Sequence, residues 1–261
     1  MDQGQRYDRQ LLLYGEKRNT VLELGEVRRY GVDSFKDPDY VSLYGMSPAE
    51  WYAKGVRILG RTAVECTRDQ LGDMIGQDVA AVVAQRFNTT AALVVDPFAG
   101  SGNTLYWLVR HLPGARGLGF EMDAQVFRLT KENISLLALP IEVLNADYRS
   151  GIGSISLPQD QLLIVFIAPP WGDALTSALG LDLRLTTPPI CEIVDFAIET
   201  FPSNPLLCAI QVYETVDPDS LDAIKSRFDW SESRAYGLNA PGTNHGVLLG
   251  SKGCSLLPTL V

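Results

Sequence analysis

Long apolar runs, histidine and surplus positive charge are all scarce in this 261-residue chain. No apolar run approaches the ~18 residues that would cross a bilayer, and no membrane association is expected. The start, Met1-Asp2-Gln3-Gly4-Gln5-Arg6, is polar and lacks the apolar core of a secretory signal. The cysteines Cys66, Cys191, Cys208 and Cys254 lie far apart with no C-x-x-C pair. That argues against a disulfide framework and a zinc knuckle, so a reducing, cytoplasmic setting without a metal is the expectation. Only two histidines occur. His111 falls near a helix C-terminus, where a cation is favourable anyway, and His245 opens a late strand. Neither is expected at a cleft, so a histidine base is not expected.

Net charge is −9, and it is unevenly spread: after Arg61, 12 Lys/Arg face 22 Asp/Glu, while the part before is near neutral. Proteins that grip long nucleic acid neutralise phosphates with a basic surface. This chain has none, which favours a small-molecule or nucleoside-type substrate over extended RNA. Hydrophobic residues at 46% and charged residues at 20% leave enough apolar side chains for a sizeable core.

What is present is concentrated in Leu93-Val94-Val95-Asp96-Pro97-Phe98-Ala99-Gly100-Ser101-Gly102-Asn103-Thr104-Leu105. A β-branched run ends in an acid, passes a small-residue turn and opens into a helical pattern, which predicts a buried parallel strand, a tight loop and a helix N-terminus. Gly100 and Gly102 permit positive φ and leave the backbone open to a ligand. Backbone N–H groups at the helix start would face that ligand. A dinucleotide fingerprint would need a third glycine where Leu105 stands, and a P-loop would need a lysine that is absent. Asp96 would repel a pyrophosphate but suits a cation, and S-adenosylmethionine carries both an ammonium and a sulfonium.

Ahead of this stretch, residues 1–90 read as a mostly helical extension capping the site, and residues 91–261 as the core. Val21 to Val27 suits a strand or a helix equally. Ser47-Pro48-Ala49-Glu50 forms a capping box for a helix expected to end near Gly60. Thr67-Arg68-Asp69-Gln70 repeats the signal before an amphipathic helix reaching about Arg86. After the loop come helix 104–112, strand 117–121, a helix from Asp123 to about Leu139, strand 141–145 and strand 162–167. Helix 189–201, strand 206–212, helix 218–228 and a hairpin of 231–236 with 245–250, turned at 239–242, complete the chain. This alternation predicts an α/β, Rossmann-like doubly wound sheet of about seven strands with an antiparallel C-terminal hairpin.

Four predicted strand ends then share one rim. Asp96 ends the first. Glu121 would accept from two ribose hydroxyls, and Asp147 from an adenine amino group, with Met122 and Tyr148 offering apolar faces to the base. Ala168-Pro169-Pro170-Trp171 ends the fourth: prolines that cannot extend a ladder leave carbonyls open and hold an indole over the cleft, where a flat amine can stack.

The ordered motifs VVDPFAGSGNT, GFEMD, NADY and IAPPWG resemble class I S-adenosylmethionine-dependent methyltransferases, most of all the RNA cap guanine-N2 methyltransferases of the trimethylguanosine synthase group. The resemblance covers about Thr67 to Gly172. It implies a cofactor site of Asp96, Phe98, Gly100, Gly102, Asn103, Thr104, Glu121 and Asp147, with Thr67 as a cap over the cofactor. It also implies that Pro169, Pro170 and Trp171 present the acceptor amine. Ala168 stands where the family carries Ser, Asn or Asp, so backbone carbonyls, or Asp173 beyond Gly172, must serve as acceptors there. The expected function is methylation of a planar amino group, guanine-like or on a small aromatic metabolite. The alternative is a non-catalytic S-adenosylmethionine sensor or partner subunit keeping the same fold.

Overall fold

A computed structural model describes residues 6–87, 91–176, 180–238 and 244–253; the expected 239–242 turn and Cys254 lie outside them. The first part of the chain is helical, with short pieces. A π-helical turn, Gln10–Tyr14, buries Leu12 and Leu13. Helix α1 spans Leu24–Phe35, and Glu23 N–H donates to Glu26 at 2.9 Å to close its first turn. The undecided 21–27 stretch thus divides, since Val21 makes an antiparallel bridge to Leu59 before α1 begins.

Helix α2, Pro48–Ala53, starts at the predicted capping box but stops well short of Gly60. Gly55 takes φ +92°, and Val56, Ile58 and Leu59 leave the helix and are buried in the core. There Ile58 O accepts from Leu22 N at 3.0 Å. The tertiary bridge outcompetes continued helix. Helix α3 is Gly60–Glu65 and α4 is Asp69–Arg86. Arg68, rather than Thr67, occupies the α4 cap position, and no side chain caps it.

The sheet elements follow: β1 Ala92–Asp96, α5 Asn103–His111, β2 Arg116–Phe120, α6 Ala124–Leu137, β3 Ile141–Leu144 and α7 Tyr148–Gly153. Next come β4 Leu162–Ile167, a 3₁₀ turn Gly172–Ala174, β5 Leu175–Thr176, β6 Gly180–Leu181, α8 Ile190–Thr200, β7 Leu206–Tyr213, α9 Pro218–Lys225, β8 Trp230–Tyr236 and β9 His245–Lys252. Helix α7 and the β5–β6 pair are too short to leave a periodic signal.

Seven strands form one sheet in the order β3-β2-β1-β4-β7-β9-β8. The first five are parallel, and β9 runs antiparallel to both neighbours. The chain turns back across the sheet between β1 and β4, and ligands of open α/β sheets bind at such a switch point. The C-terminal hairpin is not a simple edge, because β9 lies inside β8 and pairs with β7. Its first residue, His245, stands opposite Tyr213 at the carboxyl end of β7.

Alternate residues of each strand enter different cores, so these strands read as unbroken apolar runs. On one face Val94, Ile164, Leu207 and Leu249 join Leu12, Trp51, Ile58, Ile75 and Val79 from the helical extension. On the other Val95, Val165, Cys208 and Leu248 meet Ile152, Ile193, Val194 and Ile224. The extension is therefore continuous with the sheet's own core. Gly72 and Gly76 let α4 approach α5, since a Cβ at Gly76 would sit 2.9 Å from the Trp107 carbonyl oxygen. His111 accordingly ends in a 2.7 Å contact with Asp73 of α4. Asn133 of α6 exchanges two hydrogen bonds with the Arg57 backbone, at 3.0 and 2.8 Å.

Candidate active site

The rim begins at Asp96, 2% exposed. Its carboxylate accepts from Phe98 N at 3.0 Å, and burial pushes its pKa up to about 7. The loop beyond turns tightly, with Gly102 N donating to Ala99 O at 2.6 Å and Ala99 N to Phe120 O at 2.9 Å. Gly100 and Gly102 take φ of +50° and +74°, but their surroundings differ. A Cβ at Gly100 would meet only a carbonyl oxygen 3.9 Å away, whereas one at Gly102 would touch Ile141 at 3.3 Å. Gly100 is open to a ligand; Gly102 is required by the turn and by packing.

Glu121 is held in place by the same loop. Gly100 N donates to Oε2 at 3.1 Å and Asp123 N to Oε1 at 2.7 Å. Burial nevertheless raises its pKa. The carboxylate is thus fixed toward the rim with lone pairs to spare, as an acceptor for a pair of hydroxyls would be. Asp123 caps α6 through Gln125 N and Val126 N at 2.9 and 3.1 Å and pairs with Arg61 of α3.

Other expected contacts are used structurally. Asn103 is 1% exposed: its Oδ1 accepts from Tyr44 N at 2.7 Å, and its Nδ2 donates to Thr67 O at 2.8 Å and Asp69 Oδ1 at 3.0 Å. It ties the extension to the loop. Thr104 is buried beside it. Asp147 is exposed and caps α7, accepting from Arg149 N at 2.9 Å. Tyr148, expected to face a base, is buried instead, its ring between Phe98 (5.6 Å) and Phe196 (6.2 Å). The reason is α7, which turns residue 148 inward as its first helical position. Phe98 remains half-buried, and Met122 is 73% exposed on the rim.

Across the switch point stands the β4 end. Pro169 is buried, Ala168 and Trp171 half-buried, and Pro170 and Asp173 exposed. Trp171 O accepts from Ala174 N at 2.9 Å, so that carbonyl is already engaged. The indole lies 5.6 Å from the His245 ring and 6.1 Å from Tyr213, and the last two rings are 6.0 Å apart. His245 is therefore at the cleft, contrary to expectation, because β9 inserts beside β7. Burial, then the positive charge of Arg68, lowers its pKa to about 4. Thr67 Oγ1 donates to Gln211 Oε1 at 3.0 Å, and Gln211 Nε2 stands 3.5 Å from His245 Nδ1. The sequence pattern sets His245 on a late strand away from the cleft and gives Tyr213, Gln211 and Arg68 no part in the site. The β7–β9 pairing brings His245, Tyr213 and Gln211 together, and the Thr67–Gln211 bond sets the start of α4 beside them.

Among the described residues no cluster of His, Cys, Asp or Glu could hold a metal, and no helix is long and apolar enough to cross a membrane. Surface depressions of about 600 Å³ beside Phe127 and Leu136, and about 390 Å³ beside Met46 and Trp107, are lined by none of the rim residues.

No family model matches the chain. It is 30% identical over 140 residues to a 4-amino-L-phenylalanine/4-methylamino-L-phenylalanine methyltransferase of Streptomyces pristinaespiralis, a match covering 54% of this chain and 41% of that protein. The chain thus spans less than half of that relative's length. A solved structure described as "delta-N METTL16 MTase domain" superimposes with a TM-score of 0.50 at 12% identity, covering 70% of this chain and 83% of that one. The fold is that of the class I S-adenosylmethionine-dependent methyltransferases.

Proposed function

We propose that the chain is an S-adenosylmethionine-dependent N-methyltransferase acting on a planar aromatic amine. The observation that carries this is the rim itself: two immobilised carboxylates and an open glycine on one side of the switch point, a proline-held indole on the other. Asp96 would face the cationic end of the cofactor, and Glu121 its ribose hydroxyls. Gly100 leaves the space that the cofactor needs. When bound, the cofactor supplies an electrophilic methyl group. Trp171 would stack on the acceptor while the free carbonyls at Ala168 and Pro169 accept from its amino hydrogens. No side chain need act as a strong base, because alignment of lone pair and methyl at about 3 Å can supply on the order of 7–11 kcal/mol.

The aromatic amine methylated by the Streptomyces relative supports a small acceptor, as does the −9 charge. A guanine amino group, the acceptor of the cap methyltransferases that the DPF and PPWG motifs resemble, has the same flat geometry. The free thiols of Cys66, Cys191 and Cys208 accord with the cytoplasmic setting we assign. A second reading, a cofactor-binding sensor without turnover, is favoured by Ala168, which offers no side-chain acceptor to an amine.

The test is a transfer screen with methyl-labelled S-adenosylmethionine against aromatic amines, amino-substituted phenylalanines, nucleosides and cap analogues. Methylation of an amine is expected. Binding of S-adenosylhomocysteine without transfer to any acceptor would favour the sensor; absence of that binding would refute both.

A further inference from the structure

Arg68 occupies an unusual electrostatic position. Most arginines here that reach a carboxylate do so directly: Arg227 pairs with Asp195, Arg184 with Asp182 and Asp217, Arg234 with Asp78 and Arg61 with Asp123. Arg68 does not. Its Nη2 is buried without a hydrogen-bond partner, and its guanidinium carbon lies 4.7 Å above the Tyr40 ring. No carboxylate among the described residues pairs with it, although the chain has 31 acids. Arg68 as a whole is half-buried, but a guanidinium nitrogen withdrawn from water with no partner is unfavourable, so the position is one where an incoming anion would be favoured.

The location is equally specific. Thr67, the residue before Arg68, is bonded to Gln211, whose amide nitrogen stands 3.5 Å from His245 Nδ1. Since Gln211 Oε1 already accepts from Thr67, its nitrogen is the donor toward His245. The imidazole then keeps its proton on Nε2, leaving an N–H donor beside Trp171. Burial and the Arg68 charge keep that ring neutral, so it donates without adding a second positive charge. Glu214 also bears on the imidazole, with a weaker effect than Arg68, and its Oε2 is engaged by Asn244 at 2.6 Å.

We propose that Arg68 and His245 form an anion-binding subsite beside Trp171, so that the methyl acceptor is a planar amine carrying an anionic group. This rests on the methyltransferase reading above. A guanidinium and an imidazole N–H offer donors and no acceptor, which is the pattern that reads a carboxylate or a phosphate. The aromatic ring of the acceptor would lie on the indole and its anion against Arg68.

Binding is the readout, followed by quenching of tryptophan fluorescence with and without S-adenosylhomocysteine. One arm compares anilines bearing a carboxylate on tethers of increasing length with their methyl esters. The other compares guanosine monophosphate with guanosine. At least one anion should bind roughly 10- to 100-fold tighter than its neutral counterpart, the range of a charge-assisted hydrogen bond. Arg68→Gln should reduce that ratio to near unity, and Arg68→Lys should retain part of it, both with melting temperatures near the parent's. A carboxylate preference points to an amino-acid-like acceptor, a phosphate preference to a nucleotide. Equal binding of charged and neutral partners in both arms of the parent protein overturns the subsite. S-adenosylhomocysteine binding together with methylation of neutral amines would leave the methyltransferase reading standing.

Discussion

Replacing Asn103 by alanine separates two roles that the same residue could have. In the structure its side chain makes three hydrogen bonds to the extension, to Tyr44 N, Thr67 O and Asp69 Oδ1, while only 1% exposed. Two are neutral, at about 1 kcal/mol each, and one involves a charged partner, at about 1.5–3 kcal/mol. Asp69 would keep Trp107 Nε1 at 2.7 Å and Gly45 N at 2.9 Å, so the lower figure applies to that bond. Alanine at the first position of α5 recovers a few tenths of a kcal/mol in helix propensity. The expected net loss is about 3 kcal/mol, or roughly 6–10 °C in Tm for a chain of this size. Urea unfolding of the variant measures it. Asn103→Asp should be worse than alanine at neutral pH, because it loses both amide donors and sets a second carboxylate beside Asp69; acidification should narrow the gap. An alanine variant within 1 kcal/mol of the parent but weakened toward S-adenosylhomocysteine would refute the argument and make Asn103 a ligand contact.

Glu121→Ala should weaken S-adenosylhomocysteine binding by about 1.5–3 kcal/mol in calorimetry, through lost bonds to a charged acceptor; unchanged affinity would remove Glu121 from the site. Asp96, with a pKa near 7 when the site is empty, should make S-adenosylmethionine affinity rise between about pH 5.5 and 7.5, since only the ionised form attracts a cation, and Asp96→Asn should flatten that slope. Trp171→Ala should leave cofactor affinity near the parent's but lower kcat/KM by roughly 10–100-fold, with Trp171→Phe recovering part; a variant that melts far lower yet keeps its specific activity would make the indole a core residue. His245 is neutral in the fold down to about pH 4 but takes a proton near 6.5 when unfolded. Its share of stability is therefore complete above 6.5 and lost as pH falls toward 4, on the order of 2–3 kcal/mol, and denaturant titrations of His245→Asn across this range should show that loss removed.

The elements most legible in the sequence were those whose burial is dictated on both sides. The run 162–167 could be read to the residue because every one of its side chains is buried. Asp123 was readable as a cap because it does that locally, through Gln125 N and Val126 N. What escaped was long-range. Helix α2 ended early because Val56–Leu59 found a bridge to residues 21 and 22, which no local pattern announces. His245 was missed because its place depends on which side of β8 the last strand lies, and a hairpin has the same sequence signature either way. Asn103 sits where a ligand-binding loop would put it, yet its partners, Tyr44 and Asp69, are 59 and 34 residues away.

The insertion of β9 between β7 and β8 bears on how the chain emerges from the ribosome. Until residues 245–252 are synthesised, β7 has an open hydrogen-bonding edge and β8 has no partner at all. Strand β7 is almost wholly apolar, Leu206-Leu207-Cys208-Ala209-Ile210-Gln211-Val212-Tyr213, and an unpaired apolar edge is a template for intermolecular pairing. The nascent protein thus carries an apolar strand with an open edge for about thirty residues of translation, a few seconds at ordinary elongation rates, before the strand that protects it exists. A chain stopped just before His245 should accordingly be recovered as aggregate or bound to a chaperone.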